Sequence, residues 1–281
     1  MSIKILLIHW IIKVITHSMK LLTWNINSVR LRAPILLQQL VQQSEADIIC
    51  LQETKTPDEH FPHEVFEAAG YQFRHINGMK SYNGVAILSR IPFENPHIHN
   101  RVGRNDCRHI SVTINDVHLH NLYIPAGGDI PDRVQNEKFG HKLDFVNELT
   151  GAFPKLHKKS DRVIAVGDFN IAPLEHDVWS HKQLVGVVSH TPIEVETLNK
   201  FQNSIEFTDA VRHFVPDDQK CYSWWSYRNQ DWRKSNRGRR LDHIWVTKPL
   251  VSGLNEYEIL QNARDWEKAS DHVPVVMNIE I

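Results

Sequence analysis

Six groups of polar residues stand where apolar runs of this chain begin or end: Asn25 with Asn27, Glu53, Tyr123, Asp168 with Asn170, Asp242 with His243, and Asp271 with His272. The best defined follows residues 163–166, four apolar and mostly β-branched positions that read as a short buried strand. Gly167, Asp168, Phe169 and Asn170 come next. A strand that ends this way brings a carboxylate and a carboxamide to the rim of a sheet while the intervening aromatic turns into packing. Gly167, without a Cβ, lets a backbone or a ligand come close.

The first four groups close apolar runs and the last two open them. In antiparallel pairing the end of one strand lies beside the start of the next, so all six can meet at one pole. Each has an ordinary structural explanation alone: a strand-end salt bridge for Glu53, a surface acid for Asp242, a capped loop for His272. Together those explanations require several unrelated coincidences. Clustered carboxylates repel and raise one another's pKa, a cost that a divalent cation removes. Hard oxygen ligands without cysteine suit Mg²⁺, or Mn²⁺, which keep waters and take a substrate phosphate. His272 could donate to a phosphoryl oxygen, with an acid such as Asp242 fixing its tautomer.

The elements that must position these groups follow from periodicity. Strands are predicted at residues 20–24, 47–51, 71–76, 84–89, 108–114, 117–123, 163–166, 243–246, 257–260 and 273–279, with a two-residue hairpin at Asn115 and Asp116. Helices are predicted at 34–43, with Pro34 in the first turn, at 61–69 stopped by Gly70, from Phe139 to Leu156, and at 192–203. Short strands mixed with few helices, without strict alternation, imply packed sheets with helices outside. The 281 residues show no linker-like shift in composition, so residues 19–281 read as one domain. Residues 1–18 carry an apolar stretch too short for a bilayer and read as an over-long start or an appended segment.

A net charge of −1 advertises no global attraction to nucleic acid, so a DNA-binding surface must be local. Three cysteines without paired spacing fit a reducing compartment, and a cytoplasmic monomer without membrane attachment is expected. The eighteen histidines are scattered, with no run that reads as a zinc cluster.

Seven stretches, in order, resemble the exonuclease III family of apurinic/apyrimidinic endonucleases, within the endonuclease/exonuclease/phosphatase fold. They are residues 23–30, 51–55, 123–125, 167–170, 222–228, 240–243 and 270–274. The resemblance covers residues 19–281 and implies an α/β four-layered sandwich: two mainly antiparallel sheets face to face, helices on both outer faces, the active site at one edge. It implies Glu53 as principal metal ligand, with Asn27 and Asp271 near the metal or its waters. Asp168 would orient or deprotonate the attacking water, and Asn25 and Asn170 would hold the phosphate and Asp168. Tyr123 and His272 would stabilise the transition state, with Asp242 orienting His272. The implied substrate is double-stranded DNA with abasic sites or damaged 3′ ends. Phosphodiester hydrolysis needs a positioned water and neutralised equatorial oxygens, which such a set supplies.

Residues 228–240 interleave basic residues with aromatics, as backbone-plus-stacking recognition does. The expected DNA contacts are Arg108, Arg228, Arg233, Lys234, Arg237 and Arg239, and the resemblance implies Trp224 as an aromatic wall for an extruded abasic sugar. Two features depart from the family pattern. Bulky Trp179 and His181 occupy a segment that family members often fill with Gly and Asn, and Arg239 stands where some have an apolar residue. Three alternatives follow: a 3′–5′ exonuclease or 3′-phosphatase with weak abasic activity, a lipid phosphatase of the same fold, or a non-catalytic DNA-binding module. The Trp/Arg-rich segment argues against the second and the complete polar set against the third.

Overall fold

In the computed structural model, which describes residues 18–229 and 231–281, the apolar runs become strands much as their periodicity predicts. β1 (Ser18–Asn25), β2 (Ile48–Gln52), β3 (Phe73–Asn77) and β4 (Val85–Ser89) come first, with α1 (Val29–Ser44) and α2 (His63–Ala68) between them. β5 (Glu94–Ile98), β6 (His109–Ile114) and β7 (Val117–Tyr123) follow, then α3 (Glu137–Leu156), β8 (Val163–Asp168), α4 (His181–Leu184) and α5 (Pro192–Ser204). The rest is β9 (Thr208–Asp209), β10 (Trp224–Trp225), α6 (Trp232–Ser235), β11 (Gly238–Arg239), β12 (Asp242–Val246), α7 (Lys248–Val251), β13 (Leu254–Ile259) and β14 (Val275–Glu280).

Two six-stranded sheets result, ordered β13-β14-β1-β2-β4-β3 and β5-β6-β7-β8-β12-β9. Each has one parallel pair at its centre, β1 with β2 and β7 with β8, and is antiparallel elsewhere. Strand alternation sorts the side chains into layers. Leu21, Ile48, Ile87, Val112, Leu119, Ile164 and Ile244 fill the space between the sheets. Leu22, Trp24 and Ile49 face α1 and α2, whereas Leu122, Val163 and Ala165 face α3 and α5. One polar clasp ties the sheets together inside: Gln52 Nε2 donates to Asn121 Oδ1 at 2.7 Å, and Asn121 Nδ2 donates to the Leu51 and Ala86 carbonyls. The four-layered sandwich is therefore as expected.

Local differences have plain causes. α1 starts five residues before Pro34, which sits in its second turn rather than its first; Leu36 and Leu40 are buried but Ile35 faces solvent. β5 escaped prediction because its sequence, Glu-Asn-Pro-His-Ile, is an exposed edge carrying a proline. The hairpin at Asn115 and Asp116 has positive φ at both residues (45° and 64°), as a type I′ turn requires. The expectation for residues 1–18 falls, apart from Ser18 in β1, outside the described residues. No helix among the described residues is long and apolar enough to cross a membrane.

Candidate active site

Register assembles the polar groups. Tyr123 on β7 pairs with Asp168 on β8, and Asp168 pairs with Asp242 on β12, so three of the polar side chains form one row across the second sheet. The facing sheet brings Asn25 to the end of β1. His272 forms a bridge with Trp224 and joins the row through its Nδ1, 2.8 Å from Asp242 Oδ2. Gly167 is required where β7 and β8 draw together: its φ is 140°, and a Cβ there would lie 1.8 Å from the Leu122 carbonyl oxygen. Past the strand ends, Glu53 (φ 51°), Lys55 (φ 52°) and Asn170 (φ 54°) adopt left-handed backbone, which non-glycine residues keep only where their surroundings enforce it.

Asp168 is buried and held from two sides. Asn25 Nδ2 donates to its Oδ2 at 2.9 Å, and Asn170 donates to it through both its backbone N–H (2.9 Å) and its Nδ2 (3.1 Å). His272 Nε2 lies 3.7 Å from the same Oδ2, and its Nδ1 is 2.8 Å from Asp242 Oδ2. Ser223 Oγ donates to that Asp242 oxygen at 2.6 Å. Burial raises the pKa of Asp168 and the negative charges of Asp242 and Glu53 add to the rise, only partly offset by His272 and Asn25. For His272 burial works downward, but the carboxylates of Asp242 and Asp168 prevail and lift it to about 10. The arrangement pairs a carboxylate primed to take a proton with an imidazolium able to hydrogen-bond an anion.

Glu53 links this row to a second group of acids. Tyr123 Oη donates to Glu53 Oε1 at 2.6 Å and Asn25 Nδ2 donates to the same oxygen at 3.1 Å. Lys55 Nζ lies 2.7 Å from Glu53 Oε2 and also donates to Asn27 Oδ1 at 2.7 Å. Burial pushes the Glu53 carboxyl up, yet Lys55, Tyr123 and Asn25 bring it below the ordinary range. Asn27 Nδ2 reaches Asp271 Oδ1 at 3.2 Å, and Trp224 Nε1 donates to Asp271 Oδ2 at 2.9 Å. A hard metal suits this second group. The Lys55 ammonium already stands as a cation between two oxygens of the donor set, Glu53 Oε2 and Asn27 Oδ1. Asp168, Asp242 and His272 form another set whose ligand atoms lie within 4.8 Å of one another, and Asp242 Oδ1 is buried without a partner.

Sequence reasoning passed over several supporting residues. Lys55 and Ser223 lie inside quoted motifs, where their polar side chains were a usable signal. Lys142 and Glu194 gave none: both are fully buried and ion-paired beneath the Asp168 turn, where Lys142 Nζ donates to the Asn170 carbonyl at 2.8 Å. They stand far apart in the chain and meet only through the packing of α3 on α5.

The basic residues divide. Arg228, Arg237 and Arg239 line a cavity of about 540 Å³ together with Trp179 and Trp224. Arg237 lies over the Trp179 ring at 4.8 Å and Arg239 over the Trp224 ring at 5.4 Å. Lys234 is exposed. Arg233 is exposed but engaged, its Nε donating to Asp265 Oδ2 at 2.9 Å. Arg108 holds Tyr123 instead of reaching out: it donates to Asp106 Oδ2 (2.7 Å) and Asn83 Oδ1 (2.8 Å) and lies over the Tyr123 ring at 4.7 Å. Arg240, part of the basic stretch, is buried against Asp177 and Asp209 and does not belong to a surface. Of the two bulky residues in the loop after Asn170, Trp179 lines the cavity, whereas His181 Nδ1 is 2.8 Å from His190 Nε2.

Known proteins resemble this chain over nearly its whole length. Residues 22–272 match the Endonuclease/Exonuclease/phosphatase family. The chain is 30% identical to exodeoxyribonuclease III of Haemophilus influenzae over 272 residues, covering 92% of this chain and 98% of that protein. Its fold superposes with a TM-score of 0.85 on an AP endonuclease from Archaeoglobus fulgidus, at 28% identity, covering 94% of this chain and all of the other. It superposes equally well, at 27% identity and with the same coverage, on a 3′ phosphatase from Neisseria bound to product DNA hairpin. With the polar row at one edge of a two-sheet sandwich and these likenesses over nearly its whole length, the chain belongs to the endonuclease/exonuclease/phosphatase family, on its exodeoxyribonuclease III branch.

Proposed function

We propose that this DNA-repair nuclease hydrolyses the phosphodiester 5′ to abasic sites in duplex DNA and also removes nucleotides or blocking groups from 3′ ends, with Mg²⁺ as its metal and Mn²⁺ as a substitute. The observation that carries this reading is the Asn25–Asp168–His272–Asp242 chain of contacts beside a cavity of about 540 Å³. One end of that arrangement activates water, and the other has room for a displaced sugar.

Glu53, Asn27 and Asp271 would hold the metal, which when bound supplies positive charge to the phosphate's non-bridging oxygens. The protein's own groups do the rest. Asp168, fixed by Asn25 and Asn170, takes a proton from the attacking water as its oxygen bonds to phosphorus. His272, kept protonated by Asp242, donates to a non-bridging oxygen whose charge grows in the transition state. Tyr123, kept neutral by burial and by the Glu53 carboxylate, is a second donor. The P–O3′ bond breaks and the leaving oxygen takes its proton from solvent. Trp224 walls the cavity, and Arg228, Arg237 and Arg239 supply charge around it.

3′-end processing is the second reading, favoured by Trp179, which narrows the cavity where an extruded sugar would enter. A side-by-side assay with Mg²⁺ on abasic, 3′-phosphate and recessed-end duplexes tests both. We expect abasic incision to be fastest, and Trp179→Gly to raise it further relative to 3′-end removal. Faster 3′-end removal in the native chain would make the enzyme a 3′-processing one. An unmoved ratio in Trp179→Gly would show that this ring is no gate.

A further inference from the structure

On the outer face of the second sheet, under the C-terminal end of α3, histidines that are distant in sequence converge. His99 follows β5, His109 opens β6, His120 lies on β7, and His157 caps α3. His109 and His120 are fully buried, and one ring nitrogen from each of His99, His109 and His120 falls within 4.8 Å of the others. Above them opens a cavity of about 570 Å³, lined by His97, His99, His118, His120 and His157 with no carboxylate among its walls. His120 precedes Tyr123 by three residues and faces the opposite side of β7, so this cluster is separate from the catalytic row.

The hydrogen bonds fix the tautomers. Arg101 Nε donates to His109 Nδ1 at 3.2 Å, which leaves the ring proton on Nε2. His109 Nε2 lies 2.9 Å from His120 Nδ1 and must donate to it; His120 Nε2 then donates to His157 Nε2 at 2.8 Å. The relay ends on a His157 Nδ1–H that is buried without a partner, and Arg101 Nη2 is likewise unpartnered. A purely structural polar network would close on itself, because a buried donor left open is costly. This one does not.

We propose that His99, His109 and His120 form a second metal site, for a late first-row divalent ion of the Zn²⁺ class, with its open position toward the 570 Å³ cavity. Three neutral imidazoles without carboxylate or thiolate suit Zn²⁺, Cu²⁺ or Ni²⁺ and not the hard Mg²⁺ of the catalytic pole. Burial keeps His99, His109 and His120 below the ordinary histidine range, and so uncharged. His120 already offers Nδ1 while giving its other N–H to His157, the outer support that ligating histidines use. His99 Nε2 lies 2.8 Å from Ser111 Oγ, so with the ring proton on Nε2 and donated to that hydroxyl, Nδ1 is left to ligate. His109 must change tautomer. Its proton moves from Nε2 to Nδ1, and Arg101 turns to Glu148, which it already faces at 3.5 Å. Ligand nitrogens around a tetrahedral ion sit about 3.3 Å apart, so the half-buried His99 ring, now stacked on His109 at 4.1 Å, must tilt inward.

The test is equilibrium dialysis of the full chain against Zn²⁺ in a large excess of Mg²⁺, with Co²⁺ as a spectroscopic substitute. We expect His99→Ala to retain one ion fewer per chain than the native protein and to lose the visible absorption of tetrahedral Co²⁺, with unchanged circular dichroism and nuclease rate. Arg101→Met removes the competing hydrogen bond and charge and should tighten binding by roughly tenfold. Equal Zn²⁺ binding by the native chain and His99→Ala, or weaker binding in a folded Arg101→Met, would overturn the site.

Discussion

His272 and His120 are both buried beside the same sheet, yet their imidazoles are driven in opposite directions. At His272 burial is outweighed by Asp242 and Asp168, and the ring is lifted to about 10. At His120 no carboxylate is among the main influences, and burial, His157 and His99 hold the ring well below the ordinary range. One protein thus keeps an imidazolium at neutral pH where the proposed reaction meets a phosphate, and a set of neutral imidazoles elsewhere. The difference lies in the neighbours, since burial acts downward on both.

The comparison breaks first if the acids of the catalytic pole are not what make it work. Glu53→Ala should cost several orders of magnitude in turnover while leaving the melting temperature near native, and chelation should do the same. Full activity in excess chelator would remove the metal from the reading altogether.

Asp242→Asn tests the imidazolium more narrowly. Asp242 is the main group lifting His272, so its loss should lower that pKa and reduce the rate by about 10²-fold, the scale of a displaced acid–base group. The native profile should rise as Asp168 loses its proton and fall near pH 10, and the alkaline limb should move to lower pH in the variant. An alkaline limb that stays in place would mean that another group titrates there.

The histidine cluster should show itself in stability. Folded pKa values near 3 for His99 and near 4 for His157 lie below the unfolded value of 6.5. Between those limits the unfolded chain binds more protons than the folded one, so stability falls as pH falls from about 6.5 toward 4 and is fully present above 6.5. His272 carries the opposite sign: its contribution is complete below 6.5 and is lost as pH rises through about 10. Urea melts of the metal-free protein across pH 4–7 should show a shallower acid slope in His99→Gln. An unchanged slope would mean that these rings are accessible to protons after all.

These two clusters also differ in how far they could be read from sequence. The groups proposed as catalytic sit at strand ends, where the period-two pattern breaks, so Asp168, Tyr123 and Asp242 were visible as polar residues closing or opening apolar runs. Register then did what antiparallel pairing implies and set Asp242 beside Asp168. His109, His118 and His120 occupy ordinary outward strand positions, where a polar residue is expected on a solvent face. Only the docking of α3, which brings Phe153 and His157 over them, makes them a cluster. The Lys142–Glu194 pair was hidden for the same reason. The loss of Arg240 from the basic surface has another cause: Asp177 and Asp209 come from a short 3-10 turn and a two-residue strand that no local pattern ties to it.

The smallest effects concern DNA holding, and there the four basic residues should not behave alike. A phosphate contact that displaces one counterion contributes a salt slope of about 0.9, so a free cation that grips the backbone should show that much on removal. Arg228 and Arg237 line the 540 Å³ cavity, and Lys234 is exposed nearby. Removing any one should flatten the salt dependence of binding by about one unit of slope. Arg233 is already compensated by Asp265 and lies over Trp232 at 4.7 Å, so it has less counterion to release. Arg233→Ala should therefore flatten the slope by well under one, and Asp265→Ala should steepen it by freeing the guanidinium. An unchanged slope in the quadruple alanine variant would place the DNA elsewhere on the surface. A full unit lost in Arg233→Ala alone would mean that Asp265 yields its partner when DNA arrives.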